Sequence, residues 1–269
     1  MVATWIVLIR GIRGKMVKMH YVTTSGFWDI YKRQNIQTFL VSYWYDKNAK
    51  LIEKIRGVFP KAHVILDSGA YSARYLGAEV RLDKFIDYCH EHKHLVDKIV
   101  SLDVMDPEHD PMATESIANY NKMRDSGLNV MPVFHKGEDK SIMKQYLKTA
   151  KMVGLGANSI RDKRIYHNYL NDILKMIPND IYVHLFGVMA MELLLKFNNR
   201  LSSCDSTTVI RRAQFNSSIA YSGMGKTCIG GTTRLEPEKI YKLHEYTLYR
   251  YKKMQDQLDE MLTDGRIQH

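Results

Sequence analysis

Short β-branched and aromatic runs alternate along this chain with stretches whose apolar residues recur every three or four positions. The runs are Phe39–Tyr45, His63–Leu66, Lys98–Leu102, Asn129–Phe134, Met152–Leu155, Ile181–Phe186 and Leu201–Cys204, with an eighth expected in Ile219–Gly223. Between them the three-and-four spacing predicts helices over Leu82–Lys93, Thr114–Arg124, Lys140–Lys151, Tyr166–Ile177 and Met189–Phe197. Near-continuous apolar strands that alternate with helices imply a parallel sheet covered on both faces. Seven or eight such units in a chain of this length fit a single-domain (β/α)8 barrel, with a doubly wound open sheet as the alternative. The expected layout is a basic, aromatic segment over 1–37 packed on the barrel, the barrel over 38–235, and one long polar-faced helix over 236–269.

Composition narrows the class. The 269 residues are 45% hydrophobic and 25% charged, which excludes a disordered or fibrous chain. Three cysteines (Cys89, Cys204, Cys228), odd in number and far apart, exclude a disulfide framework and a four-thiolate zinc ribbon. The apolar run Trp5–Ile9 is too short to span a bilayer, and its basic residues follow rather than precede it. A cytoplasmic protein without a membrane partner is expected. The net charge of +10 is uneven: residues 1–60 hold ten Lys/Arg against three Asp/Glu, and 206–235 hold four basic residues and no acid. All three tryptophans (Trp5, Trp28, Trp44) lie in the first basic segment. Basic residues interleaved with aromatics suit a polyanion that also offers flat bases.

Chemistry-bearing residues gather at the strand ends. The second run leads into Asp67-Ser68-Gly69-Ala70, the third into Asp103, the fourth into His135, the fifth into Gly154-Leu155-Gly156, the sixth into Gly187 and the seventh into Asp205. In a parallel barrel these positions converge on the C-terminal mouth, where active sites are built. Each has a simpler reading: Asp67 and Asp205 as helix caps, Asp103 as a turn residue. Three carboxylates and an imidazole directed into one mouth are costly as packing, and together they favour a site. Paired carboxylates suggest a double displacement at a sugar carbon, one as nucleophile and the other as proton donor and acceptor. The Gly154/Gly156 pair would let backbone approach a flat ligand.

Asp67-Ser68-Gly69-Ala70-Tyr71, Val153-Gly154-Leu155-Gly156, Leu185-Phe186-Gly187-Val188, and Asp205 followed by Arg211 resemble the tRNA-guanine transglycosylase superfamily over roughly 38–215. They are most similar to its short phage and bacterial members that place 7-deazaguanine bases in DNA. The resemblance implies a (β/α)8 barrel, with Asp205 as the nucleophile at C1′ of a guanosine nucleotide and Asp67 as general acid/base at the purine. It implies that Asp103, Gly154 and Leu155 bind the exchanged base, with Ser68, Gly69, His135, Gly156 and Gly187 beside them; His135 stands where the tRNA enzymes have a glutamine. DNA and a 7-deazaguanine base such as 7-cyano-7-deazaguanine would be the partners. The tRNA enzymes also hold zinc on a cysteine cluster and a histidine. Here only Cys228 and His244 fall near those positions, so no metal or other cofactor is expected, and DNA is favoured over tRNA.

Arg211 and Arg212, with Lys226 in a glycine-rich loop, are expected to hold phosphates, because guanidinium forks bind phosphate oxygens bidentately. Residues 220–227 nearly match a P-loop, but Cys228-Ile229-Gly230-Gly231 does not continue as a helix, so the match is set aside. His90, His92 and His94 would point to different faces of a helix and are not read as ligands. Cys204 is read as a small buried residue. Three functions compete: base exchange in DNA, the same chemistry on tRNA, and a non-catalytic barrel that binds nucleic acid. The paired Asp67 and Asp205 argue against the last.

Overall fold

The computed structural model describes residues 17–23, 27–104, 110–156, 163–188, 190–206, 217–222, 225–230 and 237–263. Its centre is a parallel sheet of β1 (Lys18–Val22), β2 (Thr38–Ser42), β3 (His63–Asp67), β4 (Lys98–Val100), β5 (Val130–Met131), β6 (Val133–His135), β7 (Met152–Gly156), β8 (Tyr182–Phe186) and β9 (Ser203–Ser206). The strand order is β5-β4-β3-β2-β1-β9-β8-β7-β6. β5 and β6 are halves of one run divided at Pro132, which has no N–H for the ladder. Its carbonyl still accepts from Gly154 N at 2.8 Å, while Met131 O accepts from Ser101 N at 2.9 Å. This one run therefore bonds β4 on one side and β7 on the other, and closes the sheet into a TIM-type (β/α)8 barrel. The open-sheet alternative is excluded.

The outer layer follows the periodicity closely. It comprises α1 (Trp28–Arg33), α2 (Lys50–Val58), α3 (Ala70–Tyr75), α4 (Leu82–His92), α5 (Thr114–Asp125), α6 (Lys140–Tyr146), α7 (Lys163–Met176), α8 (Met191–Lys196) and α9 (Pro237–Thr263). α9 opens on a proline, whose missing N–H would have been unsatisfied there in any case. Gln255 of α9 accepts from Met19 N at 3.2 Å, and His244 stacks on Phe27 with ring centroids 4.3 Å apart. The C-terminal helix thus covers β1 as a member of the outer ring. No helix among the described residues is long and apolar enough to cross a membrane.

Two expectations need correction. The barrel's first strand is Lys18–Val22, inside the 1–37 segment expected to pack outside the barrel; it sits between β2 and β9. The eighth run, expected at Ile219–Gly223, instead belongs to an antiparallel hairpin of β10 (Ser217–Ser222) and β11 (Gly225–Gly230), separate from the barrel sheet. The same hairpin disposes of the P-loop match, since Lys226 and Thr227 lie in a strand rather than at a helix start.

Strand alternation builds two cores. In β3, Val64 and Leu66 join the large core under the helices, while Ile65 faces the lumen with Leu40, Val100, Met131 and Val133. Phe186 from β8 packs against this lumen plug. A Cβ at Gly154 would lie 2.4 Å from the Phe186 ring, so glycine there is what lets the ring cross the lumen. Gly57 in α2 has nothing within 4 Å of its would-be Cβ. Gly154→Ala should therefore destabilise the protein by about 1–3 kcal/mol through overpacking. Gly57→Ala should stabilise it by about 0.5–1 kcal/mol through helix propensity. Denaturant midpoints at fixed pH check both, and equal midpoints for Gly154→Ala and wild type would contradict this packing of the lumen.

Candidate active site

The upper layer of the lumen is polar because the last inward position of several strands carries an ionisable group. Asp67 ends β3 and Asp205 lies in β9, on the same rim. The chain turns sharply after Asp67: Gly69 adopts φ 76° and donates its N–H to Asp67 Oδ2 at 3.0 Å. A Cβ at Gly69 would lie 2.4 Å from Ser42 Oγ and 2.5 Å from Trp44 Cβ, so the turn is pressed against the end of β2. Asp67 accepts from its own turn, but the cap of α3 is Gly69 rather than Asp67. Burial, then the fields of Asp103 and Asp205, push its carboxyl up to about 7. It is a proton donor poised near neutrality.

Asp205 is oriented from two sides. Its Oδ1 accepts from Gly187 N at 3.0 Å and pairs with His184 Nε2 at 3.2 Å. Gly187 adopts φ 71°, the left-handed region that favours glycine. His184 is fully buried, and its Nδ1 lies 2.7 Å from Ser203 Oγ. With a carboxylate on Nε2, that nitrogen carries the hydrogen, so Nδ1 accepts from the serine hydroxyl. Among the described residues both hydrogen bonds to Asp205 fall on Oδ1, and Oδ2 has none.

Asp103 and His135 are joined by a residue that sequence reasoning missed. His135 Nε2 lies 3.0 Å from Asp103 Oδ2. Its Nδ1 lies 3.0 Å from Glu138 Oε1, whose other oxygen accepts from His135 N at 2.9 Å. Burial opposes protonation of this imidazole, but the hydrogen bonds to Asp103 and Glu138 outweigh it and raise the pKa to about 10. His135 is an imidazolium between two carboxylates. One oxygen of Asp103, Oδ2, is committed to it.

The remaining expected residues divide. Gly156 lies under the His135 ring, where a Cβ would come within 2.4 Å, so both glycines of the pair make room for protein rings rather than for bare backbone contact with a ligand. Leu155 is buried in the outer core, with its side chain facing away from the lumen. Ser68 is buried, and its Oγ accepts from Ala70 N at 3.3 Å. Gly187 acts on Asp205. Arg211 and Arg212 lie outside the described residues, as does the side chain of Lys226. Cys204 is buried, as expected.

Glu138 and His184 were the residues missed. Glu138 stands three positions after His135 across Lys136-Gly137, a turn spacing that is weak as a signal. His184 sits in an apolar run that reads as core. Beneath the site, His20 Nε2 and His63 Nδ1 meet at 2.9 Å, and burial lowers the pKa of both imidazoles. Among the described residues no group of His, Cys, Asp or Glu is arranged to hold a metal ion. No protein-family model and no curated protein matches the chain.

The raised pKa of Asp67 makes a stability prediction. The folded state holds its proton up to about 7, whereas the unfolded carboxyl releases it near 4. Folding stability therefore falls as pH rises from about 4 to about 7, by at most about 1.4 kcal/mol per unit, less whatever water reaches the half-buried group. Asp67→Asn should remove this slope and gain on wild type steadily across that window. Denaturation at a series of pH values checks it, and parallel wild-type and variant curves would refute it.

Proposed function

We propose that this barrel is a base-exchange transglycosylase that replaces guanine in DNA with a 7-deazaguanine derivative. The observation that carries the reading is a carboxyl protonated near neutrality, Asp67, within electrostatic reach of an oriented second aspartate, Asp205, at the mouth of one barrel. Those are the two roles a double displacement needs.

Asp205 Oδ2 attacks C1′ of the target deoxyguanosine as the C1′–N9 bond breaks, and the Asp67 proton passes to the departing purine. A covalent aspartyl-nucleotide remains. The incoming 7-deazaguanine loses its N9 proton to the Asp67 carboxylate, its N9 attacks C1′, and Asp205 is released. His184 and Gly187 hold Oδ1 throughout, so the nucleophile keeps its aim. The free oxygen of Asp103 accepts from the amidine-like N–H groups of either base, which both bases share. A duplex would have to expose its base first, because C1′ of a stacked nucleotide cannot enter the mouth.

Incorporation of labelled 7-cyano-7-deazaguanine into guanine-containing DNA tests the reading. Asp205→Asn should abolish incorporation with little change in volume. Asp67→Asn should slow it by about 10²–10⁴-fold, the span typical of a positioned proton donor. A protein–DNA adduct should accumulate with wild type when the second base is withheld and be absent with Asp205→Asn. Full turnover by Asp205→Asn would overturn the assignment of the nucleophile. Failure of the wild type to incorporate any 7-deazaguanine base would overturn the reaction.

A further inference from the structure

Exposed apolar side chains are not spread evenly over this protein. Of the nine large hydrophobics exposed among the described residues, Tyr45, Tyr71, Tyr75, Leu76, Met112 and Ile165 all follow strand ends and so lie on the side of the mouth. Four of them belong to two adjoining segments, the turn Tyr43–Tyr45 after β2 and the helix α3 after β3 with its C-cap Leu76. Tyr75 is 83% exposed, and Tyr45 and Leu76 are 60% exposed. Scattered surface apolar groups need no explanation, but a cluster beside an active site does.

The platform is held rigidly. Tyr43 turns inward and packs between Phe85 and Tyr88, with ring centroids 5.0 and 4.9 Å away. Asp46 accepts from Leu51 N and Ile52 N, both at 3.0 Å, which pins the turn to the start of α2. Gly69 sits tight against Trp44, locking α3 to the same turn. Tyr71 and Tyr75 are four residues apart on α3 and share one face. The Lys47 ammonium lies 3.9 Å over the Trp44 ring. Residues 43–50 and 70–77 carry Lys47, Lys50 and Arg74 against one acid, Asp46, whose two oxygens are taken by α2.

The structure assigns this rim a role as a stacking platform for unpaired DNA bases flanking the target nucleotide, so the DNA is bound as a single strand. The identity of the polymer rests on the base-exchange reading; the stacking chemistry does not. Exposed, flat tyrosine rings interleaved with cations match a strand that offers both π-faces and phosphates. Paired, stacked bases of a duplex present neither face to such a rim. The core of a protein interface is depleted in lysine, whereas the exposed Lys47 and Lys50 stand within this cluster.

Fluorescence anisotropy with a labelled single-stranded oligodeoxynucleotide of about a dozen nucleotides, the matching duplex and the matching RNA tests the assignment. Wild type should bind the single DNA strand most tightly. Tyr45→Ala with Tyr75→Ala should weaken that binding by roughly tenfold or more, because each lost base–ring stack costs about that. Tyr45→Phe with Tyr75→Phe should keep it, since the ring and not the hydroxyl is used. Both side chains are exposed, so thermal unfolding of the double alanine variant should match wild type, which excludes misfolding as the cause. Tighter wild-type binding to the duplex or to RNA, or undiminished binding by the double alanine variant, would overturn the platform. So would a wild-type dimer in sedimentation that the alanine variant dissolves, because the face would then belong to a second copy of the chain. Base exchange measured on the same samples separates the two claims. Ring-dependent strand binding without exchange by wild type leaves the platform standing and removes the transglycosylase, whereas exchange without ring-dependent binding does the reverse.

Discussion

Four carboxyl groups crowd the mouth of this barrel, and the imidazolium of His135 is what makes that arrangement tolerable. Asp103 and Glu138 flank it at 3.0 Å each, so two of the four carboxyl groups face one buried positive charge. Asp67 relieves the crowding differently, by keeping its proton up to about 7. Asp205 takes its support from His184 and a backbone N–H. Breaking a buried ion pair on one side typically costs about 3–5 kcal/mol, because the abandoned charge has no water to turn to. Each group at the mouth is therefore set by its neighbours, and a protonated Asp67 facing an oriented Asp205 follows from that electrostatic sorting.

The lumen beneath supplies the rigidity. Phe186 and His135 lean across it over glycine positions, and the apolar plug of Leu40, Ile65, Val100, Met131 and Val133 supports them from below. A floor packed at interior density keeps Asp67 and Asp205 at a fixed separation, which the proposed two-step displacement at one carbon would require. The proton on Asp67 near neutral pH reflects a carboxyl whose ionisation the fold disfavours.

The amino-acid sequence by itself determined the alternation of strands and helices, narrowed the class to a barrel or a doubly wound open sheet, and put Asp67, Asp103, His135, Gly187 and Asp205 at strand ends. These are local properties, because strand period, helix period and the residue after a strand are all read within one element. The long helix expected over 236–269 also stands, observed at Pro237–Thr263. Only the tertiary structure decided which strand closes the ring. β1 was hidden because His20, an inward residue, is polar; in isolation Lys-Met-His-Tyr-Val reads as a surface strand, and it becomes a central one only when His63 and His184 sit beside His20 in the lumen. The structure likewise decided that His135 is charged and what the glycines accommodate, since Asp103 and Phe186 reach those places from other strands and Glu138 folds back from the turn after His135. It also decided that the tryptophan-bearing basic segment splits, with Trp28 packed beside Tyr31 and Phe59 and Trp44 beside Lys47 at the mouth. Partners that meet across a barrel are not periodic in sequence, so no pattern along the chain announces them.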